Sequence, residues 1–323
     1  MSATNLYEQQ KRNRERTAVF LAAIVLFLTI LGLGADGFLY GAGGSPGVPI
    51  CTIGALAFGG LSAWWALSSG DRAILESATA RPLNPADPAE RALDNVVEEM
   101  AIAAGIPKPS VYVIPDSDPN AFATGPGPAR ASIAVTRGTL DALNREELQG
   151  VVAHEMSHVR NLDIRLMTVV AALAGAILLV ADASRRGLRW GGGRAAGRRE
   201  GRSGLFGIVF FVLWVVSLLL APLVARLVAL ALSREREYLA DASGAELTRN
   251  PLALASALEK IDAAVAPTPS IKQGVAQLCI ADPLGRPINE RSGAWASLFS
   301  THPPIARRIA LLRAMAYAKA PAP

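Results

Sequence analysis

The 323-residue sequence is short of the residues that usually carry chemistry. Two cysteines, Cys51 and Cys279, cannot build a disulfide framework. Cys51 sits in an apolar run and reads as a small buried hydrophobe. Histidine occurs three times, so any imidazole site must draw on His154, His158 and His302. Charged residues make up only 18% against 51% apolar, and the mean hydropathy is +0.31. That balance excludes a disordered chain and an ordinary soluble one. The net charge of +5 is too small an excess to argue for nucleic acid. There is no internal repeat. What remains is an integral membrane protein with a polar part able to fold on its own.

Residues 1–17 are polar, carry Lys11, Arg12, Arg14 and Arg16, and read as a cytoplasmic N-terminal segment. Ala18–Gly34 is free of charge, and the apolar character resumes past Asp36 through Tyr40. A signal peptide is the rival reading. The run is long for one and a second follows at once, which favours a retained helix. After a Gly/Pro/Ser turn at 41–47, Val48–Ser68 is again uncharged, with Trp64 and Trp65 near its end as interfacial aromatics. Residues 18–69 therefore form a transmembrane helical hairpin, with the basic flank in the cytoplasm.

Composition turns soluble from Asp71 to Arg165. Pro82, Pro85 and Pro88 read as a stiff lead-in. Leu93, Val96, Val97, Met100 and Ala104 recur at helical spacing, predicting a helix over 89–104 that stops at Gly105. Val111–Ile114, Asn120–Thr124 and Ser132–Thr136 read as short strands. Asn144 with Glu147 forms a capping-box signature that opens a further helix. Two more apolar segments follow, 166–181 and 205–226, joined by an Arg/Gly-rich linker at 185–203. The first is short for a full span and must tilt, snorkel or dip into the bilayer. The linker lacks a series of aromatics interleaved for base stacking, so no nucleic-acid partner is expected. Positive-inside logic places it in the cytoplasm, which requires that 166–181 does not cross. Residues 233–319 read as soluble and mostly helical. The fold class is mainly α with a small β-sheet.

The chemistry concentrates in His154-Glu155-Met156-Ser157-His158. On a helix, i and i+4 share a face, so both imidazoles reach one metal ion. Zinc suits them because it takes nitrogen ligands in a tetrahedron and leaves a place for water. Glu155, beside the first ligand, can accept the water's proton. Two solvated surface histidines are the bland alternative. The neighbours Val151, Val152, Ala153 and Val159 argue instead for a buried helix, where unpaired imidazoles are costly. With no other histidine nearby, a carboxylate is the expected third ligand. Glu237 and Asp241 stand at i and i+4 after the last apolar segment, with Arg234 two turns before Asp241 on the same side. Like charges on one face weaken a helix unless a cation or imidazole N–H groups intervene.

Three stretches, His154–Ile164 (HEMSHVRNLDI), Ser233–Thr248 (SREREYLADASGAELT) and Phe299–Ile309 (FSTHPPIARRI), resemble the HtpX family of membrane zinc metalloproteases within peptidase family M48. Asn120-Ala121-Phe122-Ala123 is similar to the strand that precedes the family's site. The resemblance covers nearly the whole chain. It implies a gluzincin metalloprotease domain over 70–323, one Zn2+ per chain, and a cytoplasm-facing site in a multi-pass cell-membrane protein. It also implies membrane-protein or unfolded polypeptide substrates, in a quality-control role. Carried over by motif, His154, His158 and Glu237 bind zinc and Glu155 is the base. Asp241 orients a ligand histidine, and His302 is an oxyanion helper or a gating ligand. Asp163 also falls in the motif and takes a structural role behind the ligands. A substrate strand is expected to pair with an exposed edge at Asn120–Thr124 or Ser132–Thr136. Two other readings stand beside this one. An intramembrane site-2-type protease is opposed by Arg160, Asn161, Asp163 and Arg165, which belong at or outside the interface. A noncatalytic scaffold retaining the fold should have lost its base or a ligand, and Glu155 is present.

Overall fold

Helices form where the charge-free runs predict them, and extend further at their polar ends. A computed structural model of the chain describes residues 6–43, 48–173, 234–264, 268, 270–271, 275–281, 283 and 303–317. The 185–203 linker, the 205–226 segment and His302 lie outside these residues. Helices α1 (Leu6–Gly43) and α2 (Ile50–Ser77) pack along each other. The polar residues before the apolar run are the first turns of α1. Asp36, the charge inside that run, accepts from Cys51 N at 3.0 Å and from Thr52 N at 2.8 Å and its hydroxyl at 2.7 Å. These amides belong to the first turn of α2 and have no partner within the helix. Asp36 thus supplies the cap that Pro49 does not. Among the described residues, α2 is the helix long and apolar enough to cross a bilayer by length and composition. It continues past Ser68 to bury Ile74 and Leu75 against the sheet.

Four strands, β1 (Arg81–Pro82), β2 (Ser110–Ile114), β3 (Ala121–Thr124) and β4 (Ser132–Thr136), make a mixed sheet in the order β1-β2-β4-β3. β2 and β4 are parallel; the outer pairings are antiparallel. The proline lead-in contributes β1, an exposed two-residue edge where a missing N–H is harmless. Between β1 and β2, α3 (Pro88–Ala104) starts on Asp87, whose carboxylate accepts from Ala89 N and Glu90 N. It ends at Gly105, which takes the left-handed φ of 67°. Its buried face is the predicted stripe of Leu93, Val96, Val97 and Met100.

Both faces of the sheet are covered, which is why β3 and β4 are buried at every position. Val113, Ala121, Ala123, Ile133 and Val135 face α3 and the central helix α5 (Arg145–Arg160). Ile114, Phe122 and Ala134 face the end of α2 and a helix α6 over 163–173. The described part of the expected 166–181 segment is therefore buried inside the protein: Leu166, Val169, Val170 and Ala171 are all at most 2% exposed. A short helix α4 (Arg137–Ala142) leads into α5. Helices α7 (Arg234–Thr248), α8 (Pro251–Ala263) and α9 (Ile305–Tyr317) complete the domain. One expectation needs correction. Ser132–Thr136 cannot receive a substrate strand, because β4 is hydrogen-bonded on both sides, to β2 and to β3.

The capping box forms as expected. Glu147 N donates to Asn144 Oδ1 at 3.0 Å, and Asn144 N donates to Glu147 Oε2 at 2.8 Å. Glu147 also accepts from Ser256 and Lys260 of α8, each at 2.7 Å, so one buried carboxylate caps α5 and ties it to α8. Burial pushes this carboxyl up, but Lys260, the Asn144 amide and Ser256 together hold it below the usual range. A depressed folded-state pKa contributes stability above the unfolded value, lost as pH falls through the folded one. Glu147→Ala is expected to cost about 1–3 kcal/mol. In thermal melts the gap to wild type should narrow as pH falls below about 4. A constant gap down to pH 3 would show that the charge contributes nothing.

Candidate metal centre

α5 is apolar on nearly every side, since α3, α7, α8 and β3 pack around it. His154, Glu155 and His158 are thus at most 4% exposed. Buried imidazoles need partners, and each Nδ1 faces a carboxylate. His154 Nδ1 lies 3.0 Å from Asp241 Oδ1, and His158 Nδ1 lies 3.4 Å from Asp163 Oδ2. With Nδ1 held this way, both Nε2 atoms turn toward one point. They stand 3.3 Å apart, with Glu237 Oε2 3.7 Å from His154 Nε2 and Oε1 3.6 Å from His158 Nε2. Among the described residues His154, His158 and Glu237 form the one group able to hold a metal ion.

Two observations test whether a divalent cation fits. A tetrahedron with bonds of about 2.0–2.1 Å has edges of about 3.3–3.4 Å. The two Nε2 atoms, 3.3 Å apart, match such an edge, and Glu237 brings one carboxylate oxygen to 3.7 Å from His154 Nε2 and the other to 3.6 Å from His158 Nε2. Charge balance gives the same answer. Glu155, Asp163, Glu237 and Asp241 are all buried, and the buried guanidinia beside them are Arg236 and Arg308. Among the described residues four buried carboxyl groups thus face two buried guanidinia, an excess of acid that a bound cation, or protons on His158 and Glu155, would offset.

The protonation pattern follows the same fields. Burial lowers the His154 imidazole, consistent with a neutral ligand. Burial also pushes His158 down, but Asp163, Glu237 and Glu155 outweigh it and raise the ring to about 9. Those acids pull in a proton where a cation would otherwise serve. Burial, with the Glu237 carboxylate beside it, lifts the Glu155 carboxyl to about 7 against the opposing pull of His158 and of the Ala123 backbone on β3. Burial pushes Asp241 up, yet Arg308 and His154 hold it at about 2.

Arg308, missed by the sequence reading, is the largest fully buried side chain. Its Nε donates to Asp241 Oδ2 at 2.8 Å and its Nη2 to Oδ1 at 2.7 Å, a bidentate pair, while Nη1 donates to Ile280 O at 3.0 Å. The available signal was its register. Ile305, Arg308 and Leu312 fall on one stripe of α9, and a charge amid an apolar stripe asks for a buried partner. Asn13 is the second omission. From α1 its side-chain amide donates to Asn161 O at 2.9 Å and to the Asp163 carboxylate. Arg234 needs correction. It is exposed at the first residue of α7, and the guanidinium nearest Asp163, at 4.0 Å, belongs to buried Arg236. The packed face of α7 runs through Arg236, Glu237, Ala240, Asp241 and Gly244. At Gly244 an added Cβ would stand 3.0 Å from His154 N, so a larger residue would have to push α7 and α5 apart by a few tenths of an ångström.

The expected substrate strand is only partly free. Ile280 N donates to Ala121 O at 2.9 Å, Asn120 Nδ2 donates to Ala281 O at 3.1 Å, and Phe122 bridges to Cys279. The chain's own 279–281 segment therefore covers the outer edge at Asn120, Ala121 and Phe122. At Ala123 that edge turns to Glu155.

A helix bearing two imidazoles and a carboxylate, closed by a glutamate from a second helix, defines a metallopeptidase centre. Residues 88–316 match Peptidase family M48. The chain belongs to that family and is a membrane metalloprotease. It is similar to proteins called Protease HtpX homolog along nearly its whole length. That of Thermoanaerobacter pseudethanolicus is 42% identical, over 98% of this chain and 99% of the relative. That of Caldanaerobacter subterraneus subsp. tengcongensis is 43% identical with the same coverage. That of Streptococcus uberis is 41% identical over 96% of this chain and the whole of the relative.

Asp241 carries one prediction. Asp241→Asn should weaken metal retention about 10–100-fold in a chelator competition, because it removes the charge that orients His154. Arg308→Gln leaves Asp241 buried with no cation and should cost about 3–5 kcal/mol in chemical denaturation. An Arg308→Gln protein as stable as wild type would remove this pair from the account.

Proposed function

We propose that the chain is a zinc endopeptidase acting on unfolded or membrane-inserted polypeptides from the cytoplasmic side of a cell membrane, as in protein quality control. The observation that carries the chemistry is the convergence of His154, His158 and Glu237 donor atoms on one point next to the buried Glu155. These three residues would hold the ion. Zinc, when bound, polarises the scissile carbonyl and makes water acidic enough to attack at neutral pH. Glu155 takes the proton from the attacking water and delivers it to the leaving amine as the C–N bond breaks. A carboxylate held near neutrality by burial suits both transfers. The substrate backbone would enter beside Ala123, where the sheet edge runs next to Glu155. His302, next to Pro303 and Pro304, is proposed as a donor to the oxyanion or as a gate.

Support for the membrane arrangement comes from α1 and α2. The apolar run of α1 is preceded by Lys11, Arg12, Arg14 and Arg16, and both helices join the catalytic domain through the same ends. Packing of α5 among α3, the sheet and α8 speaks against an intramembrane active site.

Glu155→Gln should keep stoichiometric zinc while casein cleavage falls by about two to four orders of magnitude. His154→Ala, His158→Ala and Glu237→Ala should each lose the metal, since a three-ligand site has no spare. Full turnover by Glu155→Gln would refute the mechanism. For topology, in a chain lacking Cys51 and Cys279, Ser45→Cys should react with an impermeant thiol reagent from outside intact cells and Ser270→Cys should not. The reverse pattern would sink the cytoplasmic placement.

A further inference from the structure

A cavity of about 300 Å³ lies between α1, the 126–130 loop and the turn that links α5 to α6. Arg14, Arg130 and Arg165 line it, with Pro126, Pro128 and Leu162 among the apolar walls, and no acidic residue takes part. The Nε of Arg165 is buried and makes no hydrogen bond. Arg130 is braced through one nitrogen, Nη2, which donates to Ser68 O at 2.8 Å and pairs with Asp71 at 3.2 Å. Three guanidinia around one space, with a single carboxylate behind one of them, repel each other until an anion enters. The planar fork of arginine matches a phosphate better than any other common anion-binding side chain.

Where the three arginines arise is an independent observation. Arg14 precedes the charge-free run that starts at Ala18. Arg130 is clamped to Ser68, three residues before Asp71 ends the uncharged stretch of α2. Arg165 stands immediately before the apolar residues 166–173. Arg14 and Arg130 therefore mark the polar ends of the two hydrophobic segments of α1 and α2, which in a bilayer lie at headgroup depth, and Arg165 joins them from the start of the buried α6. The apolar walls offer a surface to the rest of an amphiphile rather than to a fully hydrated ion.

We propose that this cavity binds the phosphodiester of an anionic phospholipid. The inference rests on the membrane reading above. Its ligand chemistry, a phosphate oxyanion held by arginines, is shared with free phosphate, so the test must separate the two. A bound headgroup would tie α1 to the turn carrying Asp163, which Asn13 already joins from the same helix.

The experiment is native mass spectrometry of the full chain in a non-ionic detergent, titrated with phosphatidylglycerol, phosphatidylcholine or inorganic phosphate. Phosphatidylglycerol should bind at least about tenfold tighter than phosphatidylcholine, whose ammonium meets the same arginines. Arg14→Gln and Arg165→Gln should each lower that affinity about tenfold, and Arg165→Lys should recover part of it. Arg14 is exposed, so the Arg14→Gln protein should melt with wild type and keep the test valid if Arg165→Gln fails to fold. Equal binding of the two lipids, or unchanged binding by Arg14→Gln, would overturn the site. Inorganic phosphate competing as well as the lipid would overturn the lipid assignment. Outside labelling of Ser45→Cys together with equal lipid binding would remove this site alone. Recovery of the chain from the soluble fraction would remove the membrane reading with it.

Discussion

The constraint on which the rest of the structure depends is the burial of α5 from Gly150 to Val159. A helix packed on all sides cannot leave imidazole or carboxylate groups without partners. The partners arrive from other elements: Asp241 and Glu237 from α7, and Asp163 from α6. Arg308 from α9 neutralises Asp241 in turn. The site is therefore a product of the whole domain closing around one helix. Loss of any outer partner leaves a buried charge exposed to its neighbours' fields rather than a solvated side chain.

The same logic explains why the membrane-facing helices are more than anchors. α2 runs on from its apolar stretch to pack Ile74 and Leu75 on the sheet, so no flexible linker separates it from the catalytic domain. α1 reaches further. Asn13 hydrogen-bonds the Asp163 carboxylate that orients His158, and Gln10 donates to Arg160 O at 2.7 Å. Two side-chain contacts thus separate α1 from an imidazole of the candidate metal centre. The arginine-lined cavity sits against this same junction.

Much of this was legible in the sequence where the determinants are local. The α3 stripe, the Gly105 stop, the Asn144–Glu147 cap and the shared face of His154 and His158 each depend on a few residues within one or two helical turns. Helix geometry relates such positions with no knowledge of the fold. Glu237 was reachable because a two-histidine helix demands a third ligand and the chain offers few acidic candidates after it. Family M48 membership followed from the same short motifs.

Tertiary structure alone decided which residues stand behind those ligands. Arg307 and Arg308 are identical in type and adjacent, yet packing of α9 buries one on Asp241 and leaves the other on the surface. Arg234 and Arg236 divide in the same way, against the expectation from spacing. β2, β3 and β4 were read as strands, but β1 was read as a proline lead-in, and neither the central place of β4 nor the cover that 279–281 gives the β3 edge was foreseen. The physical reason is that a periodic pattern specifies a face, while the neighbour that meets this face is set elsewhere in the chain, as Arg308 meets Asp241 from 67 residues away. Local chemistry therefore named the metal-binding helix, and long-range packing chose the charges that hold it.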